Sequence, residues 1–251
     1  MAGRLFDRQV SLLDYLTSAT AIFGDKDDSS PDRSLQGFDR DMLRLEAWFS
    51  YRKRMEKILA AFPKTFELLG SDHDRIVQDF IAACPPVDIS RLVNARQFHD
   101  FLSARWQRTP PAPPYLRDVA ACELACATVR VDVDERGPAP ASDKRKPRRH
   151  HIRRRRGVVL LRCGYDIRPI FEAGSADCDP VERDTPIVVA MPPRAQQPQV
   201  SDLPPVIFDL LAALDDWTDP AELGGAAQLK EIIRELTEHG LLEVGGVRLA
   251  K

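Results

Sequence analysis

No stretch of the chain approaches the ~20 consecutive apolar residues that a helix needs to cross a bilayer. The opening MAGRLFDRQV also lacks the apolar core of a secretion signal. Cysteine is scarce: there are five, an odd number at irregular spacing. That argues against a disulfide framework and for a reducing compartment. A soluble, cytoplasmic protein is the expectation.

Catalytic signatures are equally thin. His73, His99, His150, His151 and His239 include no helical pair at the four-residue spacing that grips a metal. Cys122 and Cys126 would share a helical face, but no third ligand is evident and cysteine is a common small core residue. No glycine-rich loop follows a strand to cradle phosphate, and there is no serine elbow. Asp132 and Asp134, in VRVDVD, alternate as on a solvated face. The expectation is a chain with no catalytic residue, metal or cofactor of its own.

Charge is nearly balanced, with a formal net of −2 over 251 residues, yet it is unevenly spread. Residues 144–156, KRKPRRHHIRRRR, hold nine lysines and arginines, so this run contributes +9 and the rest carries −11. An acidic protein with one basic segment is not built to coat DNA. The run, broken by Pro147 and preceded by RGPAPASD, reads first as a solvated linker. Docking an acidic peptide or protein through Arg153, Arg154, Arg155 and Arg156 comes second, and tracking phosphates third.

With 43% hydrophobic residues the chain can build a sizeable core. Its first 135 residues read as helices. Leu35, Phe38, Met42, Leu45, Phe49, Met55, Leu59 and Phe62 recur at helical steps and predict a long amphipathic helix running to Pro63, with these residues inward. TFELLG stops at Gly70, a candidate C-terminal cap. SDHDRIVQDFIAAC aligns Ile76, Val77, Phe80, Ile81 and Cys84, and NARQFHDFLSARW centres on Phe98, Phe101 and Leu102. A further helix begins near Tyr115.

After the run, which fills a basic linker over 136–156, the pattern changes. GVVLLRC, IRPIFEAG and PIVVAMPP read as short strands of a domain spanning 157–251. Pro186 and Pro192 restrict PIVVA to a sheet edge, or themselves to its ends, and an edge would leave unpaired backbone groups that could receive an extended peptide. PPVIFDLLAAL, DPAEL and AQLKEIIRELTEHG then read as three helices. Phe208, Leu211 and Leu214 face inward from the first, and Leu229, Ile232, Ile233 and Leu236 from the third. Asp219 caps the second and Gly240 ends the third. LLEVGGVRLAK predicts two strands turning at Gly245-Gly246. The fold class expected is α+β: a helical domain, a small three-stranded sheet and a C-terminal winged helix.

This order of parts resembles a known family. FPKTFELLG and PPYLRDVAACELACA look like the helical domain of accessory proteins in ribosomal-peptide (RiPP) pathways that use multinuclear iron enzymes. GVVLLRCGYDIRPIFEAG, PIVVAMPP and the three final helical segments are similar to the peptide-recognition elements of such pathways. The family includes the accessory subunits of methanobactin and 3-thiaglutamate biosynthesis and their bufferin-type relatives. The resemblance implies a heterodimer with a TIM-barrel enzyme holding two or three irons, which performs oxygen-dependent chemistry on a peptide cysteine. The chain itself would hold the leader of a ribosomally made precursor peptide. Carried over by position, the leader would lie between Ile187, Val188, Val189, Ala190 and Met191 and a helix face bearing Lys230, Ile233, Arg234 and Thr237. The arginine-rich run departs from the family pattern. The alternative is a winged-helix DNA binder that reads the major groove with Lys230 and Arg234. Glu231, Glu235 and Glu238 make that helix a poor recognition helix, and a structural subunit of some other complex also stays open.

Overall fold

The computed structural model describes residues 2–24, 35–136, 151–172, 179–193, 195–224 and 227–245. The architecture is mixed α+β with small sheets. The chain divides into two compact units, Met1–Ala120 and Ala121–Lys251.

Unit one is helical: α1 (Ala2–Thr17), α2 (Ala19–Phe23), α3 (Arg40–Leu59), α4 (Pro63–Leu69), α5 (His73–Ala83), α6 (Arg91–Arg108) and the first residues of α7 (Leu116–Arg136). Local chemistry sets its boundaries. The Ser18 hydroxyl accepts the Ala21 N–H to open α2, and the Asp39 carboxylate accepts the N–H groups of Asp41 and Met42 to open α3. Gly70 ends α4 at φ +53°. Phe98 centres the core. It stacks on Phe66 at 5.3 Å and meets Phe62 and Phe80 edge-on at 5.5 and 5.1 Å. Each such ring pair contributes about 0.5–1.5 kcal/mol beyond its burial.

The stripe expected along α3 is only partly inward. Leu35, Met55 and Phe62 are buried, but Phe38, Met42, Leu45, Phe49 and Leu59 are exposed. The buried seam steps by four, seven and four through Leu43, Ala47, Arg54 and Ile58. A small alanine and a charged arginine disguise that seam in the sequence. The larger side chains beside it form an exposed apolar face, with Trp48 among them.

Unit two contains the rest of α7 and then β1 (His151–Arg154), β2 (Val159–Asp166), α8 (Arg168–Phe171), β3 (Val181–Ala190), β4 (Gln199–Asp202) and α9 (Pro205–Ala213). A 3-10 turn (Pro220–Leu223), α10 (Ala227–Glu238) and β5 (Leu242–Gly245) follow. The sheet order is β2-β3-β4, antiparallel throughout, and β1 pairs separately with β5. Ile152, Val188, Leu211, Leu214, Leu236 and Leu242 form the core between them. Among the described residues no helix is long and apolar enough to cross a membrane.

Three expectations need correction. IRPIFEAG is not a strand: Arg168–Phe171 is a short helix with Pro169 in its first turn, where the missing N–H costs nothing. PIVVA is not an edge strand but the centre of the sheet, because β4 covers its far side. Pro186 lies within β3 opposite Arg162, but its carbonyl accepts the Leu203 N–H, so its missing N–H also faces the β4 side, one residue past the β3–β4 ladder, and takes no bond from the pairing with β2. The end of the basic run is not linker but strand, with Ile152 opposite Val244. β5 therefore pairs with β1; the expected turn partner Gly246 and the strand after it lie outside the described residues, as do residues 137–150.

Candidate peptide groove

Side-chain alternation splits the stretch Ile187–Met191 between two faces of the sheet. Val188 and Ala190 lie opposite Ser201 and Gln199, and these four line one wall of a groove of about 440 Å³. Ile187 and Val189 are fully buried and contribute nothing to it. Met191, half-buried past the end of β3, does not line it either. The opposite wall is α10, which presents Ile232, Glu235, Leu236 and Glu238, with His239 just past its end.

The face of α10 expected to meet the peptide points elsewhere. At 3.6 residues per turn, Lys230, Arg234 and Thr237 lie about half a turn from Ile232, Glu235 and Leu236, although Arg234 adjoins Glu238 at the groove's margin. Arg234 donates to Glu238 at 2.8 Å and also to Glu231, both on its own helix. Thr237 donates to the Ile233 carbonyl at 2.6 Å, and Ile233 packs against the core. Lys230 is exposed. Of the nine residues expected at the peptide, only Val188 and Ala190 line the groove.

The groove is bordered by a strand that sequence patterning missed. In the β3–β4 ladder, Leu203 bonds inward to Pro186, so alternation turns Ser201 and Gln199 inward as well. The N–H and C=O groups of Val200 and Asp202 then point away from β3, along the outer edge of the sheet. Gln199–Asp202, QVSD, is too short and too polar to register as a strand. It also follows a segment rich in proline and glutamine, which reads as loop. Its one signal is position: a third strand just before α9.

Below the groove, a charged clamp fastens α8 to the sheet. Arg168 forks onto Asp166 at 2.8 Å and reaches Asp202 at 2.7 Å, while Arg183 reaches Asp166 at 2.6 Å. Hydrogen bonds from Arg168 hold the Asp166 carboxyl down at about 2, with the charge of Arg183 assisting. Asp202 is thereby tied at one end of β4, which stiffens the strand that borders the groove.

The arginines at the end of the basic run are largely committed within the unit. Arg153 donates to Glu243 at 2.7 and 3.0 Å and lies 4.4 Å from the Trp217 ring centroid. Arg154 pairs with Asp215. The backbone N–H of Arg155 donates to the Leu241 carbonyl, and Arg156 is exposed at a turn. Arg153 and Arg154 are therefore poorly placed to hold an acidic partner.

Among the described residues no three histidine, cysteine, aspartate or glutamate side chains converge as a metal site. Cys122 and Cys126 do share a face of α7. Their mutual hydrogen bond pushes the buried Cys122 thiol up and the Cys126 thiol down. No family model matches the chain, and no curated protein matches it.

Proposed function

We propose that this chain is a non-catalytic, peptide-presenting subunit. It holds the leader of a ribosomally made precursor in the groove between β4 and α10. A partner TIM-barrel enzyme with two or three irons modifies a cysteine elsewhere on the peptide. Three antiparallel strands followed by α9, the 3-10 turn, α10 and β5 support reading this unit as a winged helix joined to a small sheet, as in peptide-recognition elements. The single observation that carries the reading is a sheet edge with outward backbone groups bordering an apolar groove, opposite a helix.

The chemistry of such a site is sufficient for the task. Each main-chain bond to the β4 edge contributes about 0.5–1.5 kcal/mol net, and apolar side chains entering beside Ile232 and Leu236 add burial. Holding the peptide raises the local concentration of its cysteine at a neighbouring active site without any chemistry in the holder. Glu235 lines the groove, and Glu238, which also lines it, is already paired with Arg234, so the leader should present uncharged or basic residues beside Glu235, not the acidic ones that the arginine run suggested. The exposed face of α3, with Met42, Leu45, Trp48 and Phe49 and with Phe38 just before the helix, supplies apolar area for docking the enzyme. DNA binding would need free cations, whereas Arg153, Arg154 and Arg234 are each paired with a carboxylate.

The test is selection from a displayed library of random fifteen-residue peptides on the full chain, with a labelled DNA duplex assayed in parallel. Micromolar, saturable binding of selected peptides that compete with one another supports the reading. Tight duplex binding with no peptide enrichment contradicts it.

A further inference from the structure

The helical unit contains a second cavity, of about 280 Å³, bounded by α1, α2, α3, α5 and the segment before α6. Its walls are mostly apolar, with Leu13, Leu16, Ile22, Tyr51, Ile81 and Ile89 among them. Against that wall stand three cations of one helix, Lys53, Arg54 and Lys57.

Arg54 is unusual. Only 8% of its surface is exposed, yet no carboxylate among the described residues pairs with it. Its guanidinium donates to the Asn94 side-chain oxygen at 2.9 Å, the Cys84 carbonyl at 2.8 Å and the Gln97 side-chain oxygen at 2.9 Å, all neutral. Each of the three guanidinium nitrogens thus has an acceptor, but none of these acceptors carries charge. The Phe80 ring, 4.5 Å away, offers partial compensation. Burial pushes its pKa down to about 10, which leaves it charged at neutral pH. A buried charge without a counter-charge is costly.

Nearby charge does not cancel it. Lys57 donates to the Ile89 carbonyl at 2.5 Å, which engages a donor without neutralising the ammonium. The one carboxylate among the described residues lining the cavity, Asp88, accepts the Ser90 N–H at 2.6 Å. Among the described lining residues three cations stand against one anion, with Asp74 close enough to act on Tyr51, so the described wall is net positive beside an apolar interior.

We propose that this cavity binds a medium-chain fatty acid, its carboxylate between Arg54 and Lys57 and its tail along Leu16, Ile22 and Ile81. A methylene fills about as much space as a water molecule, ~30 Å³, so the cavity holds roughly nine carbons. This site is independent of the peptide groove, since all of its residues belong to the helical unit.

Isothermal titration of the full chain with hexanoate, octanoate and decanoate tests the proposal, with decanol and decyltrimethylammonium as head-group controls. Binding should be one-to-one, tightening about fourfold per added methylene until the cavity is full. Decanol should bind at least tenfold more weakly than decanoate, and the cation should not bind. Leu16→Trp, which fills the cavity from a half-buried wall, should abolish uptake; if that variant fails to fold, the ligand series decides alone. No saturable binding by 1 mM (a threshold of roughly −4 kcal/mol), decanol binding as well as decanoate, or uptake unchanged in a folded Leu16→Trp chain would each overturn the assignment.

Discussion

The Arg153 guanidinium lies 4.4 Å from the centroid of the Trp217 ring, and its N–H groups fork onto Glu243 on the facing strand. A residue that reads as part of a solvated basic run is thus a fastener between β1, β5 and the loop after α9. Arg153→Gln should lower unfolding stability by about 1–2 kcal/mol, the sum of a cation–π contact and a partly buried ion pair. Urea unfolding measures this. The same substitution should leave peptide affinity unchanged at low and high salt, because the side chain is occupied elsewhere.

Trp217 also covers Gly245. A methyl group added at Gly245 would approach the indole to 2.4 Å, closer than any real contact. Gly245→Ala should therefore displace the ring and cost about 1–3 kcal/mol by overpacking. Its mark should be a change in tryptophan fluorescence together with a lower melting temperature.

Acid should loosen the clamp beneath the groove. Asp166 has its pKa depressed to about 2 from an ordinary 3.8, chiefly by Arg168. Its ionised form therefore contributes stability that is full above about pH 4 and is lost as pH falls through about 2. Asp166→Asn should lower stability at pH 7 and flatten the decline across that acid window. Denaturant titrations of both proteins between pH 2 and 7 check the sign. Parallel declines would mean that the Arg168 and Arg183 contacts contribute nothing net.

How much of this was legible in the sequence varies with the kind of signal. Helices α4 to α7 follow from helical apolar spacing around Ile76, Phe80, Phe98 and Leu102, which tertiary contacts reinforce. The inward face of α3 was not legible. Its seam runs through Ala47 and Arg54, while hydropathy points to Phe38, Met42 and Phe49 on the exposed side. The groove was legible in kind but not in place. Val188 and Ala190 belong to it, but β4 is four residues long and carries no strand pattern, so Ile187–Met191 looked like the edge. The pairing of β1 with β5 spans about ninety positions, and no local rule anticipates it.

Two proline substitutions separate edge from centre. Val200→Pro removes an outward-pointing N–H on an edge strand, where proline is tolerated. It should leave the melting temperature nearly unchanged yet weaken peptide binding tenfold or more. Val189→Pro removes an N–H directed at β2, inside the sheet. It should cost about 3 kcal/mol or more and impair folding before any effect on binding can be measured. Thermal unfolding and fluorescence anisotropy with a selected peptide check both. Equal stability losses in the two variants would contradict the assigned ladder.

The most direct test of the peptide-presenting role is backbone amide exchange at Val200, followed by NMR with and without a saturating selected peptide. The account predicts that the Val200 amide, which points away from β3, becomes at least tenfold slower to exchange once the peptide pairs with β4. Unchanged exchange at Val200 in a fully peptide-bound sample would show that the peptide sits elsewhere, and the groove between β4 and α10 would lose its role.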